Sequence, residues 1–191
     1  RSEKNKNKNE EEKKRRRNQI IVGLALVLVM LLSTAGYSFG SNSGENAAPT
    51  IKYNGYKFTN TGGYWNLDIG GTVFSFISNP SNAYKLNSSL KSLTNYYGKT
   101  LYLYSENPNA ESEIYQNMRS VASGVQPACP ENEENCGKGI PIKTCEYNFM
   151  IIKEKNTANV FQQDGCVFIE GPAEDLIRII DWVLLKILGV Q

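Results

Sequence analysis

The sequence predicts an α+β protein: one N-terminal transmembrane helix followed by a single mixed-sheet domain with about three helices. Three observations carry that expectation. A basic run, Lys13-Lys14-Arg15-Arg16-Arg17, abuts a long uncharged segment that starts at Ile20. Beyond residue 50, short apolar runs are split by Asn-Gly, Gly-Gly and Asp-Gly dipeptides, as strands joined by tight turns are. Between and after those runs, apolar residues recur at spacings of three and four, which is the helical period.

Residues 1–19 form a basic tail with no apolar residue to bury, so it is expected to stay solvated. It holds nine Lys/Arg against four Asp/Glu, or +5, while residues 20–191 hold twelve against fifteen, or −3. The overall charge of +2 is therefore an average of two unlike parts. Ile20–Phe39, anchored on Ile20, Leu24, Leu28 and Leu32, spans about 20 residues, or roughly 30 Å as a helix, which matches a bilayer core. Basic residues on its N-terminal side place the tail in the cytoplasm and the remainder outside. The same pattern is open to a cleaved signal peptide with an apolar stretch of Ile20–Leu32 and small residues at Ser33 and Ala35. It is also open to a pilin-like export signal at Arg17-Asn18-Gln19, although Asn18 and Gly23 depart from the residues such a signal uses. Residues 40–50 are small and polar and read as a flexible spacer, leaving 51–191 as the extracytoplasmic α+β domain.

Within that domain Ile51-Lys52-Tyr53 and Tyr56-Lys57-Phe58 flank Asn54-Gly55, and residues 64–69 and 72–77 flank Gly70-Gly71, so two hairpins are expected. Asn79-Pro80 then opens a helix carrying Ala83, Leu86, Leu90 and Leu93 and ending near Gly98. Leu101–Tyr104 is a short strand. Asn107-Pro108-Asn109 starts a second helix with Ala110, Ile114, Met118 and Val121 on one face. Gly124–Thr144 reads as a long surface loop. Phe149-Met150-Ile151-Ile152 fits a strand buried on both faces, and Asp164-Gly165 turns a further hairpin between Val160-Phe161 and Cys166–Ile169. The last helix starts at Gly171-Pro172. Its apolar residues from Leu176 to Leu188 cover about half the circumference, while Glu174, Arg178 and Asp181 mark the other side. Arg178 is spaced to reach both acids. Trp182 and Leu185 lie toward that polar side, either covered by a neighbouring loop or forming a partner-binding patch.

The chain contains no histidine. That excludes Ser-His-Asp and Cys-His catalysis, histidine metal sites and an imidazole pH switch. Neither a P-loop nor G-x-G-x-x-G occurs, nor G-x-S-x-G or S-x-x-K. No cofactor is expected. Glu111 and Glu113 read as acids on a surface helix, without an apolar pocket to raise a pKa. Four cysteines, Cys129, Cys136, Cys145 and Cys166, lie in the part placed outside. An even count there reads as two disulfides with three possible connectivities. The expected pairs are Cys129 with Cys136, closing an acidic loop, and Cys145 with Cys166, tying two strands. Zinc ligands usually come as closer pairs, and the acids of 131–134 lack calcium-loop spacing, so no metal site is assigned. Asn87-Ser88-Ser89 is a glycosylation acceptor sequence. Tyr102 and Tyr104 alternate on one strand, either as an adhesive or sugar-binding face or, more simply, packed on the helices.

Lys143-Thr144-Cys145, Phe149–Glu154, Gly165–Gly171, Asp175-Leu176, Asp181 and Leu188-Gly189 together resemble uncharacterised single-pass membrane proteins of small-genome archaea, over residues 125–190. The resemblance implies paired cysteines and an anchored topology, and it implies no activity. A membrane-anchored, non-enzymatic binding protein is therefore expected. Its partners would be the membrane and a protein or envelope component, with no nucleic acid. The alternatives are a pilin-like filament subunit and a cell-envelope hydrolase using two inward-facing acids.

Overall fold

A computed structural model describes residues 48–133 and 136–191, together with Ile21 and Gly23. The chain divides into two units, Arg1–Ala47 and Ala48–Gln191. In the first, Ile21 and Gly23 are helical. The expected span with Ile20, Leu24, Leu28 and Leu32 lies outside the described residues. Among the described residues no helix is long and apolar enough to cross a membrane.

The second unit begins with an antiparallel meander of β1 (Thr50–Tyr53), β2 (Tyr56–Thr61), β3 (Tyr64–Ile69) and β4 (Thr72–Phe76), paired in chain order. Each connection is a two-residue turn with positive φ at both positions: Asn54-Gly55, Gly62-Gly63 and Gly70-Gly71. Such turns match the twist of paired strands, and only Gly or Asn takes that backbone readily. Phe58, Leu67, Phe74 and Phe76 point inward and are buried, whereas Val73, out of phase with Phe74, is 56% exposed.

A second sheet contains β5 (Thr100–Ser105), β6 (Gly124–Pro127), β9 (Asn148–Glu154), β10 (Asn159–Gln163) and β11 (Cys166–Gly171) in the order β10-β11-β9-β5-β6. All its pairings are parallel except β10 with β11. The parallel pair β5 and β6 requires a crossover, which helix α1 (Pro108–Met118) supplies. Asn107 caps that helix by accepting from the N–H groups of Asn109 and Ala110 at 3.1 Å. Central β9 buries Phe149 to Ile152 on both faces, as its unbroken apolar run requires. Helix α2 (Leu176–Ile187) follows β11. A third, two-stranded pairing joins β7 (Cys129–Pro130) to β8 (Ile142–Lys143).

Both helices lie between the two larger sheets. One core cluster contains the inward side chains of the meander, of both helices, and of Leu101, Leu103, Met150, Ile152, Val167 and Ile169 in the second sheet. The chain end is tied back to the first hairpin: the Asn54 amide donates to the Val190 carbonyl at 2.8 Å, and the Gln191 amide to the Tyr53 hydroxyl at 2.7 Å.

Three expectations change. The helix expected from Asn79 to Gly98 is one 3-10 turn at Pro80–Asn82, an irregular stretch, and a second turn at Leu93–Asn95. Asn79 does cap, accepting from the Ser81 N–H at 2.9 Å. Beyond it Ser81, Asn82, Asn87, Ser88, Ser89 and Ser92 offer side chains that compete for backbone hydrogen bonds and lower helix propensity. Lys91 N–H donates to the Gln162 side chain at 2.7 Å rather than along a helix. Ala83, Leu86, Leu90 and Leu93 still meet the core, but singly. The α-helices described in this unit are therefore α1 and α2, fewer than the sequence suggests. Second, Gly124–Thr144 is not all loop: residues 124–127 form edge strand β6, where Pro127 is tolerated at the end of a short pairing. Third, α2 begins at Leu176, after a turn, rather than at Pro172.

Candidate functional site

Strand alternation sends Leu101 and Leu103 toward the helices and Tyr102 and Tyr104 to the opposite face of the five-stranded sheet. The simpler expectation, tyrosines packed on the helices, is thereby corrected: the helix face is occupied by the leucines of the same strand. On the helix-free face the tyrosines join Phe149, Ile151, Cys166 and Phe168, with Ala128 and Cys145 packed over them. The cover is a flap carried by the described residues between Cys129 and Tyr147.

Two disulfides hold this flap. Cys129 is bonded to Cys136 and Cys145 to Cys166, with Cα atoms 6.0 and 4.8 Å apart. The pairing is the expected one. The second bridge ties the flap to β11. It is reinforced by the Gly165 N–H donating to the Cys145 carbonyl at 2.7 Å and the Phe149 N–H donating to the Gly165 carbonyl at 3.0 Å. A side chain at Gly165 would run into the Tyr147 and Cys145 carbonyl oxygens, so the two backbones approach this closely only around glycine.

Polar contacts finish the attachment. Lys153 on β9 makes an ion pair of 2.7 Å with Glu133 of the flap. That hydrogen bond raises the lysine pKa, against the opposing effect of burial. Tyr104 lies close by, its hydroxyl pKa pushed up first by burial and then by the charges of Glu133 and Glu106. Lys143 sits 4.6 Å from the ring centre of Tyr102 and 4.5 Å from that of Tyr147, a doubled cation–π contact. Clefts open around the flap. One, of about 510 Å³, is lined by Tyr104, Glu106, Glu111, Glu133 and Ile140. Another, of about 730 Å³, is lined by Lys91, Glu131, Glu146 and Asp164. Both have acidic walls, and Ile142 and Tyr147 stand exposed on the flap.

A different pair of acids lies deep in the molecule. Glu113 is 2% exposed and Asp181 1% exposed. The sequence reading of Glu113 as a surface acid is corrected, and so is the placement of Asp181 on a polar face. The reason is that the helices are sandwiched, so a face that would meet water on an ordinary amphipathic helix meets the end of β4 instead. Asp181 Oδ2 accepts from the Ser78 N–H at 2.8 Å. Asn117 continues the contact, accepting from the Ser75 N–H and donating to the Ser75 carbonyl, each at 2.8 Å. Burial, then the neighbouring Asp181, push the Glu113 pKa up to about 8. Burial also raises that of Asp181, against the Ser78 hydrogen bonds that lower it. Chemically the pair resembles a general acid–base couple, and it is enclosed in the protein.

The remaining candidates are placed simply. Trp182 and Leu185 are 2% and 0% exposed, so the partner patch is corrected: side chains of the sheets and of α1 share their core cluster. Arg178 does not bridge Glu174 and Asp181. It pairs with Asp175 at 3.1 Å and donates to the Asn82 carbonyl at 3.3 Å. Asn87 is exposed on the irregular stretch. Among the described residues no group of three His, Cys, Asp or Glu side chains is disposed to hold a metal ion. Two signals for the buried acids are visible in retrospect. Glu113 and Asn117 are a polar i,i+4 pair flanking Ile114, and Asp181 is the single charge between Ile179 and Leu185. In comparisons with protein families, curated proteins and solved structures, nothing matches this chain.

Proposed function

We propose that the chain is a non-enzymatic binding protein of the cell exterior, anchored by a helix at residues 20–39, with its N-terminal tail cytoplasmic. Its domain recognises another protein or an envelope component through the helix-free face of the five-stranded sheet. The observation that carries this reading is the flap. It is cross-linked by both disulfides, and it leaves acid-lined clefts and exposed Ile142 and Tyr147 at its margins. Disulfides persist in oxidising compartments, which agrees with the orientation that the basic tail implies.

Photo-crosslinking residues placed at Ile142 and at Val73, on the outer face of the meander, test the site in native membranes. Capture of one species from position 142 and not from 73 is the expected result. Equal capture from both, or from neither, removes the assignment. Topology is tested separately by mass spectrometry under non-reducing conditions, where free thiols at Cys145 and Cys166 would contradict an exterior domain. Amino-terminal sequencing of native material distinguishes the anchor from a signal peptide or a pilin-like start at Gln19.

A further inference from the structure

We infer that Glu113 and Asp181 share a single buried proton, and that this proton makes the seam between β4, α1 and α2 a pH-sensitive latch. Four observations carry the inference. Both side chains are buried, on helices that pack against each other. The neighbouring Asp181 carboxylate, after burial, raises the Glu113 pKa. Among the described residues, the buried side-chain atoms without a donor include one oxygen from each acid, Glu113 Oε1 and Asp181 Oδ1. A single proton held by the pair leaves one buried charge there, whereas two bare carboxylates leave two. Both helices meet the strand beside the acids: the Ser78 N–H bonds Asp181 Oδ2 at 2.8 Å, and the Ser75 backbone bonds the Asn117 side chain, one turn from Glu113. The latch therefore joins the meander sheet to both helices at one point.

Among the described residues no counter-ion offsets a second charge there. On α1 and its C-cap the titratable neighbours Glu111, Tyr115 and Arg119 are exposed. On α2 Arg178 is committed to Asp175 and Asn82, and Lys186 lies in the last turn at the far end of the helix. Strand β4 and the following Ile77 and Ser78 bring no titratable side chain. Tyr84, on the stretch that crosses α2, donates to Asp175 at 3.0 Å. Loss of the proton thus leaves repulsion across the seam, and opening to water relieves it. Because the closed seam holds the proton up to about pH 8 and an exposed glutamate holds it only to about 4.5, the open fraction rises about tenfold per pH unit across that window.

The test uses the full chain in detergent micelles. Hydrogen-exchange protection of the Ser75 and Ser78 amides, corrected for intrinsic rates, is measured from pH 5 to 9 in the wild type and in Glu113→Gln. The expected result is a loss of protection with rising pH up to about pH 8 in the wild type and a shallower profile in the variant, where Asp181 alone titrates. A flat wild-type profile, or an equal slope in Glu113→Gln, overturns the inference. If Glu113→Gln does not fold, the carboxyl carbon of Glu113 in the wild type decides by its NMR titration. A midpoint near 8 supports the shared proton, and one near the ordinary 4.5 overturns it.

Discussion

Tyr96 is 1% exposed, and its hydroxyl has no hydrogen-bond partner among the described residues. Burial pushes its pKa up to about 12. A buried polar group without a partner costs about 1–3 kcal/mol. Tyr96→Phe, which deletes only that group, should therefore leave stability unchanged or raise it by up to that amount in urea denaturation. A clear loss would mean that the hydroxyl has a partner. Gly165 is the opposite case. Its Cβ would strike backbone oxygens, which cannot rotate away as a side chain does. Gly165→Ala should cost more than about 1 kcal/mol in the same measurement; a neutral result would mean that the flap does not approach this turn. Asp164-Gly165 is legible as a turn in the sequence, because the dipeptide's own backbone freedom makes it one. The need for glycine at 165 is not, since it comes from Cys145 and Tyr147, which arrive from a different part of the fold.

Helix α2 shows how an element's surroundings override its pattern. Its apolar spacing marks one face for burial, yet Asp181, Trp182 and Leu185 are buried as well, because it lies between two sheets. Leu185→Ala should cost about 2–5 kcal/mol in thermal or denaturant unfolding, as emptying a core position does. A surface patch would lose almost nothing. The flap gives a second expectation. Replacing Cys145 and Cys166 together by serine opens a loop of sequence separation 21, and the chain-entropy account puts the loss at about 3 kcal/mol. An unchanged unfolding midpoint would show that the flap is held by Lys153–Glu133 and by packing alone. Two similar openings, Asn79-Pro80 and Asn107-Pro108, have different outcomes. Both caps form, but only the second is followed by residues that sustain a helix, Ala110, Glu111, Glu113 and Gln116. Period alone made the first look helical; composition decided against it.

For the whole molecule, the buried acids set the direction of the pH dependence. The folded value for Glu113, about 8, lies above its ordinary 4.5, and Asp181 shifts in the same direction. The folded state therefore binds more protons than the unfolded one across that window. The contribution is whole below about 4.5 and is lost as pH rises through about 8. The thermal midpoint should be higher at pH 5 than at pH 9, and the reverse order would contradict the burial of the pair. The sequence by itself determined the hairpins, α1 and the doubly buried β9, and it narrowed the cysteines to two bridges among three connectivities. Turn dipeptides, caps and apolar periods act through neighbouring residues and can be read where they stand. Only the tertiary structure decided that the helices lie between two sheets, and with it the burial of Glu113, Asp181 and Trp182 and the turn of Tyr102 and Tyr104 toward the flap. Burial depends on which surfaces meet, and surfaces far apart in the chain leave no local mark of their meeting.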